Sequence, residues 1–387
     1  MVYFLAHTRA MANFLESFFS KVGAFKPGGS VLGIDIGTSS VKIVQLKRKS
    51  GKAVLETYGE LALGPYAGLE IGQAVNLGEE KMIQALTDIM REARVTSKEA
   101  GVSIPFSTSL VSLIELPHVS EKELASMVPI EARKYIPVPI GEVTLDWWLI
   151  PREIQDTSEE ELETKEAEGK AFTDRVEVLV AAIHNDTMQR YQAIGRRLGL
   201  QNPFFEIELF STLRGVIRRD IGAIMVVDIG ASTTKAFVSE RGVLKTSHTI
   251  NRGSQDITLA LSRSMNIPIR QAEELKREHG LVGNADDAAI RDVISLSTDY
   301  IFSEASRIAL NFERRYNKSI QKVVFTGGGA LLKEFTREAA RALEAEVVLG
   351  NPFSNVEAPA FLGDVLREAG PEFAVAIGLA LRKLEEH

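Results

Sequence analysis

One short pattern occurs twice in this chain, and it constrains the fold more than any other feature. Residues 31–44 read VLGIDIGTSSVKIV, and residues 224–238 read IMVVDIGASTTKAFV. The spacing from acid to lysine is the same in both copies, Asp35 to Lys42 and Asp228 to Lys235. Each copy is an apolar, β-branched run that meets an acid, a glycine and hydroxyls before it resumes as an apolar strand. The pattern predicts two β-hairpins with polar tips, one in each of two related half-domains.

The two tips carry the residues that we expect to bind a ligand. A glycine permits a tight turn, and the N–H groups and hydroxyls of the turn then point beyond the tip and attract an anion. The expected anion-binding residues are Gly37, Thr38, Ser39, Ser40 and Lys42 in the first loop and Gly230, Ala231, Ser232, Thr233 and Thr234 in the second. The alternative is a duplicated domain whose turn residues shape the strands and bind nothing.

Asp35 and Asp228 decide which ligand the tips suit. Both carboxylates would repel a polyphosphate if the tips closed on it, so the arrangement requires a hard cation between them. Mg²⁺ takes oxygen ligands, one or two of them carboxylates, and keeps several waters. The sequence therefore predicts a nucleotide with Mg²⁺, and Asp35 and Asp228 as the residues that hold the hydrated metal.

Composition excludes several other classes of protein. A length of 387 residues predicts two or more domains. The net charge of −7 opposes nucleic-acid binding. The absence of cysteine excludes disulfides and thiolate metal sites and fits a reducing compartment. No apolar run approaches the roughly 18 residues of a spanning helix, so any membrane contact is expected to be peripheral.

The motifs resemble those of a known superfamily. DIGTSSVK resembles the first phosphate motif of the actin-like ATPases, DIGASTTK the second, and VVFTGGGALL at residues 323–332 their adenosine motif. The resemblance implies an α/β fold with two lobes, the actin-like (ribonuclease H-like) architecture, with the nucleotide at the bottom of the cleft. Residues 131–147, EARKYIPVPIGEVTLDW, resemble the PilM family of type IV pilus assembly proteins, which is related to FtsA.

Domain boundaries follow from this resemblance. They are an N-terminal amphipathic segment at 1–30, a first actin-like half (subdomain 1A) at 31–104, an inserted FtsA/PilM-type subdomain 1C at 105–184 with an acidic loop at 153–170, a return to 1A with a crossing helix at 185–222, and a second half at 223–387 with subdomain 2B at about 251–320. The acidic loop holds too much charge to contribute to a core. The N-terminal segment is expected to dock on its own domain or on a partner, with a membrane-surface anchor as the alternative.

Two further groups complete the expected nucleotide site. Gly327, Gly328 and Gly329 follow a buried-type strand and precede a helix, so a flat ligand could approach their backbone closely. The resemblance assigns them to the adenosine. Glu273 and Lys276 lie one helical turn apart, in an AEELK stretch that resembles the segment contacting ribose and base in FtsA, PilM and MreB. A solvated ion pair is the alternative.

The catalytic residue stays open between two candidates. Residues 204–217 are predicted to form one helix that crosses between the halves, with Glu206 and Glu208 near its start. In actin-like ATPases a polar residue of the corresponding helix orients the attacking water, so the resemblance nominates one of these two as general base. The alternative is two exposed carboxylates near a helix N-terminus. We expect at most a slow ATPase, in which the nucleotide acts as a conformational switch.

The resemblance also implies a cellular role. It is that of a cytoplasmic protein, peripheral at the inner face of the cytoplasmic membrane, in a type IV pilus or type II secretion-like assembly complex. The expected ligands are ATP or ADP with Mg²⁺, and the expected partner is the N-terminal cytoplasmic peptide of PilN, bound between subdomains 1A and 1C. Pilus motor and platform proteins and a second copy of the chain are further expected partners.

Three other functions stay open at this point. The same motifs fit a membrane-associated, filament-forming division protein like FtsA. They also fit a non-hydrolysing actin-like scaffold. A small-molecule kinase of the same superfamily would need a carboxylate base for the acceptor hydroxyl, and no matching motif occurs in the segments that form the cleft.

Overall fold

The computed structural model describes residues 29–150, 175–217, 220, 222–282 and 288–385. The amphipathic helix predicted within residues 1–30 and the acidic loop predicted at 153–170 lie outside these ranges. The described strands are β1 (Ser30–Ile36), β2 (Ser40–Lys49), β3 (Lys52–Ala62), β4 (Glu99–Ile104), β5 (Ser109–Pro117), β6 (Val143–Leu149), β7 (Arg175–His184), β8 (Gln201–Ile207), β9 (Ile224–Ile229), β10 (Thr234–Glu240), β11 (Val243–Ile250), β12 (Lys322–Thr326) and β13 (Val347–Leu349). The described helices are α1 (Glu79–Glu92), α2 (Glu121–Ala132), α3 (Asn185–Arg197), α4 (Glu208–Val216), α5 (Ser254–Met265), α6 (Ile269–His279), α7 (Ala288–Tyr316), α8 (Phe335–Leu343), α9 (Gly363–Ala369) and α10 (Ala374–Glu385).

Two five-stranded sheets repeat one topology. The strand order is β3-β2-β1-β4-β8 in the first sheet and β11-β10-β9-β12-β13 in the second. In each sheet three consecutive strands form an antiparallel meander, and two later strands extend the sheet in parallel beside the first of them. The predicted hairpins are confirmed as β1–β2 and β9–β10. The duplication in sequence is therefore a duplication of a whole sheet.

A third, smaller sheet is antiparallel and has the order β5-β7-β6. Helix α2 packs on it through buried residues such as Leu124 and Val128. This helix begins with a capping box: the Glu123 N–H donates to Ser120 Oγ, and the Ser120 N–H donates to the Glu123 carboxylate. The ion pair from Glu177 of β7 to Lys245 of β11, at 2.9 Å, joins this sheet to the second lobe.

The first sheet buries both of its faces because its side chains alternate along each strand. Leu32 and Ile34 of β1 pack with α1 and α3 on one face. Val31 packs with α10 on the opposite face. Gly33 also faces α10, and a Cβ added there would lie 1.9 Å from the carbonyl oxygen of Ala376. The missing side chain is what lets α10 approach the sheet.

Helix α10 is buried along its whole described length up to residue 384. A helix without a polar face must be covered on every side, and here small residues make the close packing possible. A Cβ on Gly378 would lie 1.9 Å from the carbonyl oxygen of Ser211 in α4, and one on Gly215 would lie 2.5 Å from that of Ala374. Helix α4 and the first sheet thus enclose α10 at backbone contact distance.

The single helix predicted for residues 204–217 is wrong in its first four residues. Residues 201–207 form strand β8, which pairs in parallel with β4 through Val102 and Phe205, and helix α4 starts only at Glu208. The sheet edge offered by β4 outweighs the helical pattern, and the aromatic and β-branched residues of this stretch suit a strand. Glu206 and Glu208 therefore belong to different elements.

We expect Gly378→Ala to lower the free energy of unfolding by about 1–3 kcal/mol, because α10 and α4 would have to move apart to admit the methyl group. Gly363→Ala is the matched control: it also adds a methyl group in a helix, but no atom lies within 4 Å of the added Cβ. We expect the control to stay within about 0.5 kcal/mol of the wild type. Urea unfolding of both variants measures the difference, and equal midpoints would contradict the packing described for α10.

Candidate functional site

Each hairpin ends in the same turn. Asp35 pairs across the ladder with Lys42, and Asp228 pairs with Lys235. The turns close in the same way, since the Gly37 N–H donates to the Ser40 carbonyl at 3.0 Å and the corresponding N–H of the second turn donates to its partner carbonyl at 3.0 Å. The sequence repeat is thus a geometric repeat down to single hydrogen bonds.

The two tips meet across one cleft. Thr38 Oγ1 of the first tip lies 3.2 Å from Ser232 Oγ of the second. The cleft behind them has a volume of about 490 Å³ and lies between the two large sheets. Of the residues expected from the sequence, it is lined by Asp35, Gly37, Thr38, Ser39, Ser40, Lys42, Glu208, Asp228, Gly230, Ala231, Ser232, Thr233, Glu273, Lys276, Gly327, Gly328 and Gly329.

Two of the expected residues lie elsewhere. Thr234 is buried beneath the second tip, where its hydroxyl donates to the carbonyl of Arg252 at 2.8 Å. Glu206 is buried behind the cleft, where Arg214 binds both of its carboxylate oxygens at 2.8 and 2.9 Å and Arg382 binds one at 3.0 Å. Each of these two side chains is bound to other parts of the protein and does not line the cleft.

The acids at the tips lie in an environment that disfavours their charge. Burial raises the pKa of Asp35 to about 6 against the opposing effect of Lys42, and Glu208 and Asp228 add to the rise. Ser103 donates to Asp35 Oδ1 at 3.0 Å. Burial likewise raises the pKa of Asp228, with Lys235 opposing it. Carboxylates that face each other in this way favour a cation between them.

The lysines of the two hairpins have different partners. Lys42 donates to Ser40 Oγ at 2.7 Å and forms an ion pair with Glu60 at 3.1 Å. Lys235 lies 3.1 Å from Glu208 Oε2 and 3.7 Å from Asp228 Oδ2. Burial acts to lower the pKa of both lysines, but the neighbouring acids outweigh it and hold each pKa above its usual value. Both lysines therefore remain charged.

The site fits a magnesium ion that arrives with a phosphate ligand. Among residues 29–150, 175–217, 220, 222–282 and 288–385, no three acidic, histidine or cysteine side chains lie close enough together to hold a metal by themselves. Asp35 and Asp228 supply carboxylate oxygens from opposite tips. Mg²⁺ is commonly held by one or two carboxylates, several waters and substrate phosphates, and this donor set matches that description.

Glu273 and Lys276 form a buried pair and not a solvated one. Lys276 Nζ lies 2.6 Å from Glu273 Oε2, and the two residues are only 6% and 7% exposed. Thr258 donates to the same carboxylate oxygen at 2.7 Å, and Arg277 donates to the other at 2.7 Å. The cluster fixes polar groups of α5 and α6 on the wall of the cleft.

Two of the three glycines, Gly327 and Gly329, approach the second hairpin closely, whereas Gly328 lies next to Glu372. Gly327 has a φ of +81°, and a Cβ added there would lie 2.4 Å from Asp228 Oδ1. The helix expected after them is α8, which begins at Phe335, and residues 328–331 form a 3₁₀ turn before it. The backbone of this turn, and not a helix N-terminus, faces the cleft.

Several cleft residues were not expected from the sequence. Glu60 faces Lys42 because β3 pairs with β2 in that register. Glu372 and Arg277 also line the cleft, and burial together with Glu60 raises the pKa of Glu372. Arg277 follows Glu273 by one helical turn, and Lys235 repeats the position of Lys42, so both could have been found from the sequence. No sequence pattern points to Glu60 or Glu372, because their place in the cleft depends on how distant segments pack.

The duplicated sheets and the cleft between their hairpins define an actin-like protein. A solved PilM–PilN type IV pilus biogenesis complex superposes with a TM-score of 0.76 at 26% identity, over 92% of this chain and 99% of that one. The ethanolamine utilization protein EutJ from Carboxydothermus hydrogenoformans shares the fold alone, with a TM-score of 0.52 at 15% identity over 97% and 98% of the two chains.

Sequence comparison gives the family. The cell division protein FtsA of Neisseria meningitidis serogroup B is 25% identical over 388 aligned positions, 91% of this chain and 90% of its own length. The family model described as type IV pilus assembly protein PilM matches residues 33–384. The chain belongs to this PilM family and is an actin-like protein of type IV pilus assembly. The predicted fold and family are confirmed.

The raised pKa of Asp35 predicts a pH dependence of the nucleotide-free protein. Because the pKa is about 6 in the folded state against 3.8 for an unperturbed aspartate, the folded state binds this proton more tightly than the unfolded state does. The proton on Asp35 therefore stabilises the folded state. This stabilisation is complete below pH 3.8 and is lost as the pH rises through about 6.

We therefore expect Asp35→Asn to exceed the wild type in free energy of unfolding by about 2 kcal/mol at about pH 7.5, and the gap to close near about pH 4. Urea unfolding without nucleotide or Mg²⁺ measures it. Asp364→Asn, at a side chain that is 88% exposed, is the control and should leave the difference near zero at both pH values. A gap that does not change with pH would contradict the environment described for Asp35.

Proposed function

We propose that this protein binds ATP or ADP with Mg²⁺ between its two hairpin tips and uses the nucleotide as a conformational switch in type IV pilus assembly. The observation that carries the proposal is the contact of the two tips, 3.2 Å from Thr38 to Ser232, in front of a cleft that holds an acid and a lysine from each hairpin. Two matching anion-binding turns on separate sheets suit one ligand held by both lobes.

Each part of the cleft suits one part of the nucleotide. The N–H groups and hydroxyls of the tips, with Lys42, would bind the phosphates. Asp35 and the metal-bound waters at Asp228 would hold Mg²⁺, which neutralises phosphate charge and polarises the terminal phosphorus. Glu273 and Lys276 would meet the ribose and base, and the backbone of Gly327, Gly328 and Gly329 would face the adenosine.

Of the two candidate general bases, we propose Glu208. Its carboxylate lines the cleft, whereas both oxygens of Glu206 are bound to arginines behind it. A general base must reach the attacking water within hydrogen-bond distance, and only Glu208 lies on the cleft wall. The turnover that we propose is slow, and the nucleotide serves mainly to set the relation of the two lobes.

For the partner, we propose the N-terminal cytoplasmic peptide of PilN, bound between subdomain 1A (31–104) and subdomain 1C (105–184). The support is the likeness to a solved PilM–PilN complex over 92% of this chain. We also propose that the protein lies at the inner face of the cytoplasmic membrane, with pilus motor and platform proteins as further partners. Among the described residues no helix is long and apolar enough to cross a membrane.

The first test concerns the nucleotide. We expect Lys42→Met to weaken Mg²⁺·ATP binding roughly 10- to 100-fold, since it removes one charge-assisted hydrogen bond to phosphate. Lys52→Met is the control, because this exposed lysine of the same sheet pairs with Glu357 away from the cleft, and its loss should leave the affinity unchanged. Isothermal titration calorimetry gives both affinities. Absence of ATP binding by the wild type would overturn the proposed function.

The second test concerns the switch. A ligand shifts a conformational equilibrium only by its differential affinity for the two states, so ATP should change the affinity for a synthetic PilN-type N-terminal peptide, and the peptide should change the ATP affinity by the same factor. A factor of about 5 or more is expected for a working switch. Fluorescence anisotropy of a labelled peptide with and without nucleotide measures it. Equal peptide affinities would remove the switch while leaving nucleotide binding in place.

A second candidate is a filament-forming protein of the FtsA kind, favoured by the match to FtsA over 91% of this chain. Negative-stain microscopy of the protein with Mg²⁺·ATP separates the two candidates. Long polymers favour the filament former, and discrete particles that bind the PilN-type peptide favour the pilus component.

A further inference from the structure

Lys235 lies at the junction of three carboxylates from three different elements. Its Nζ is 3.1 Å from Glu208 of α4 and 3.7 Å from Asp228 of β9. Asp35 of the opposite hairpin adds a further attractive charge. The lysine side chain is only 14% exposed, so water screens these interactions weakly.

Both oxygens of the Glu208 carboxylate are engaged. The N–H of Phe106 donates to Oε1 at 2.7 Å, and Lys235 donates to Oε2 at 3.1 Å. A carboxylate oxygen that already accepts a charge-assisted hydrogen bond is held in place and is less open to a hydrogen bond from a water molecule. Glu208 therefore lies on the cleft wall with both of its oxygens already bound to donors of the protein.

The corresponding lysine of the first hairpin does not act in this way. Lys42 pairs with Glu60 on the neighbouring strand, and the Glu60 side chain is 37% exposed at the rim of the cleft. Glu60 lies in strand β3, whereas Glu208 is the first residue of helix α4. The two hairpins are alike in backbone and register, but only the second lysine contacts Glu208, the carboxylate proposed as general base.

We infer that Lys235 is a positioning residue that restrains Glu208, so that the cleft holds ATP while hydrolysis stays slow; this rests on the proposed function. In hydrolysis the water oxygen bonds to the γ-phosphorus, the bond to the β,γ-bridging oxygen breaks, and its electron pair leaves on ADP. The water proton must pass to a base. The ammonium of Lys235 occupies Oε2 of Glu208 and the N–H of Phe106 occupies Oε1, so both oxygens that could accept the hydrogen bond of the attacking water already have a donor.

The test is a double-mutant cycle in ATP hydrolysis with Lys235→Gln, Glu208→Gln and the pair of substitutions. We expect Lys235→Gln to raise kcat by about tenfold or more, because general base catalysis is worth about 10² to 10⁴, with a smaller change in KM. Adding Glu208→Gln should remove the whole gain. A hydrolysis rate at or below the wild-type value in Lys235→Gln, with ATP still bound, would overturn the inference, as would an equal effect of Glu208→Gln in both backgrounds.

A second measurement does not depend on turnover or on the folding of a lysine variant. In Glu208→Gln the lysine loses its closest partner and becomes available to the γ-phosphate, so the preference for a non-hydrolysable ATP analogue over ADP should rise by about threefold or more. An unchanged preference would show that Glu208 does not hold the lysine and would overturn the inference.

Lys42→Gln is the matched lysine control for both measurements. We expect it to weaken nucleotide binding without raising kcat, because its partner is Glu60. A gain in kcat from this variant equal to that from Lys235→Gln would overturn the specific role of Lys235. Failure of the wild type to bind ATP would instead overturn the proposed function, so the two failures are distinguishable.

Discussion

The structure depends on the convergence of like charges at one place. Asp35, Asp228 and Glu208 come from two hairpins and a crossing helix and line the same cleft. Like charges repel each other more strongly at the effective dielectric of a protein than in water, so three carboxylates that line one cleft need compensation. Lys42 and Lys235 supply part of it. The remainder favours a cation, and this is the physical basis of the metal–phosphate ligand that we propose for the cleft.

A second buried charge cluster holds the first in place. Glu206, one residue before the end of β8, binds Arg214 of α4 and Arg382 of α10, and two residues later Glu208 lines the cleft. A buried ion pair is costly to break, because removal of one partner leaves an uncompensated charge. The cluster therefore fixes where β8 ends and α4 begins. The tight packing of α10, through its Gly378 against Ser211 of α4 and through Ala376 against Gly33 of β1, serves the same end, since it leaves little room for α4 to shift.

The sequence predicted the parts of the fold that are specified locally. Both hairpins followed from one repeated pattern, because turn chemistry and strand periodicity act over a few residues. The expectation that both tips meet one ligand came from the duplication of that pattern and not from local chemistry. The boundary between β8 and α4 could not be predicted, because it depends on pairing with β4. The choice between Glu206 and Glu208 also failed at sequence level: one partner of Glu206, Arg382, lies 176 residues away. Glu60 belongs to the site only because β3 pairs with β2 and places it opposite Lys42.

The contact between the tips would give the proposed switch a physical basis in the same atoms that would bind the ligand. Thr38 and Ser232 now face each other hydroxyl to hydroxyl at 3.2 Å. A phosphate between them would replace one hydroxyl–hydroxyl contact with two hydroxyl–phosphate contacts, which are charge-assisted and stronger. Such an exchange would also change the distance between the tips. Phosphate binding would therefore be coupled to the separation of the two lobes. The energy available to the switch is then the difference between these two sets of contacts, and a device that works by this difference has no need for rapid hydrolysis.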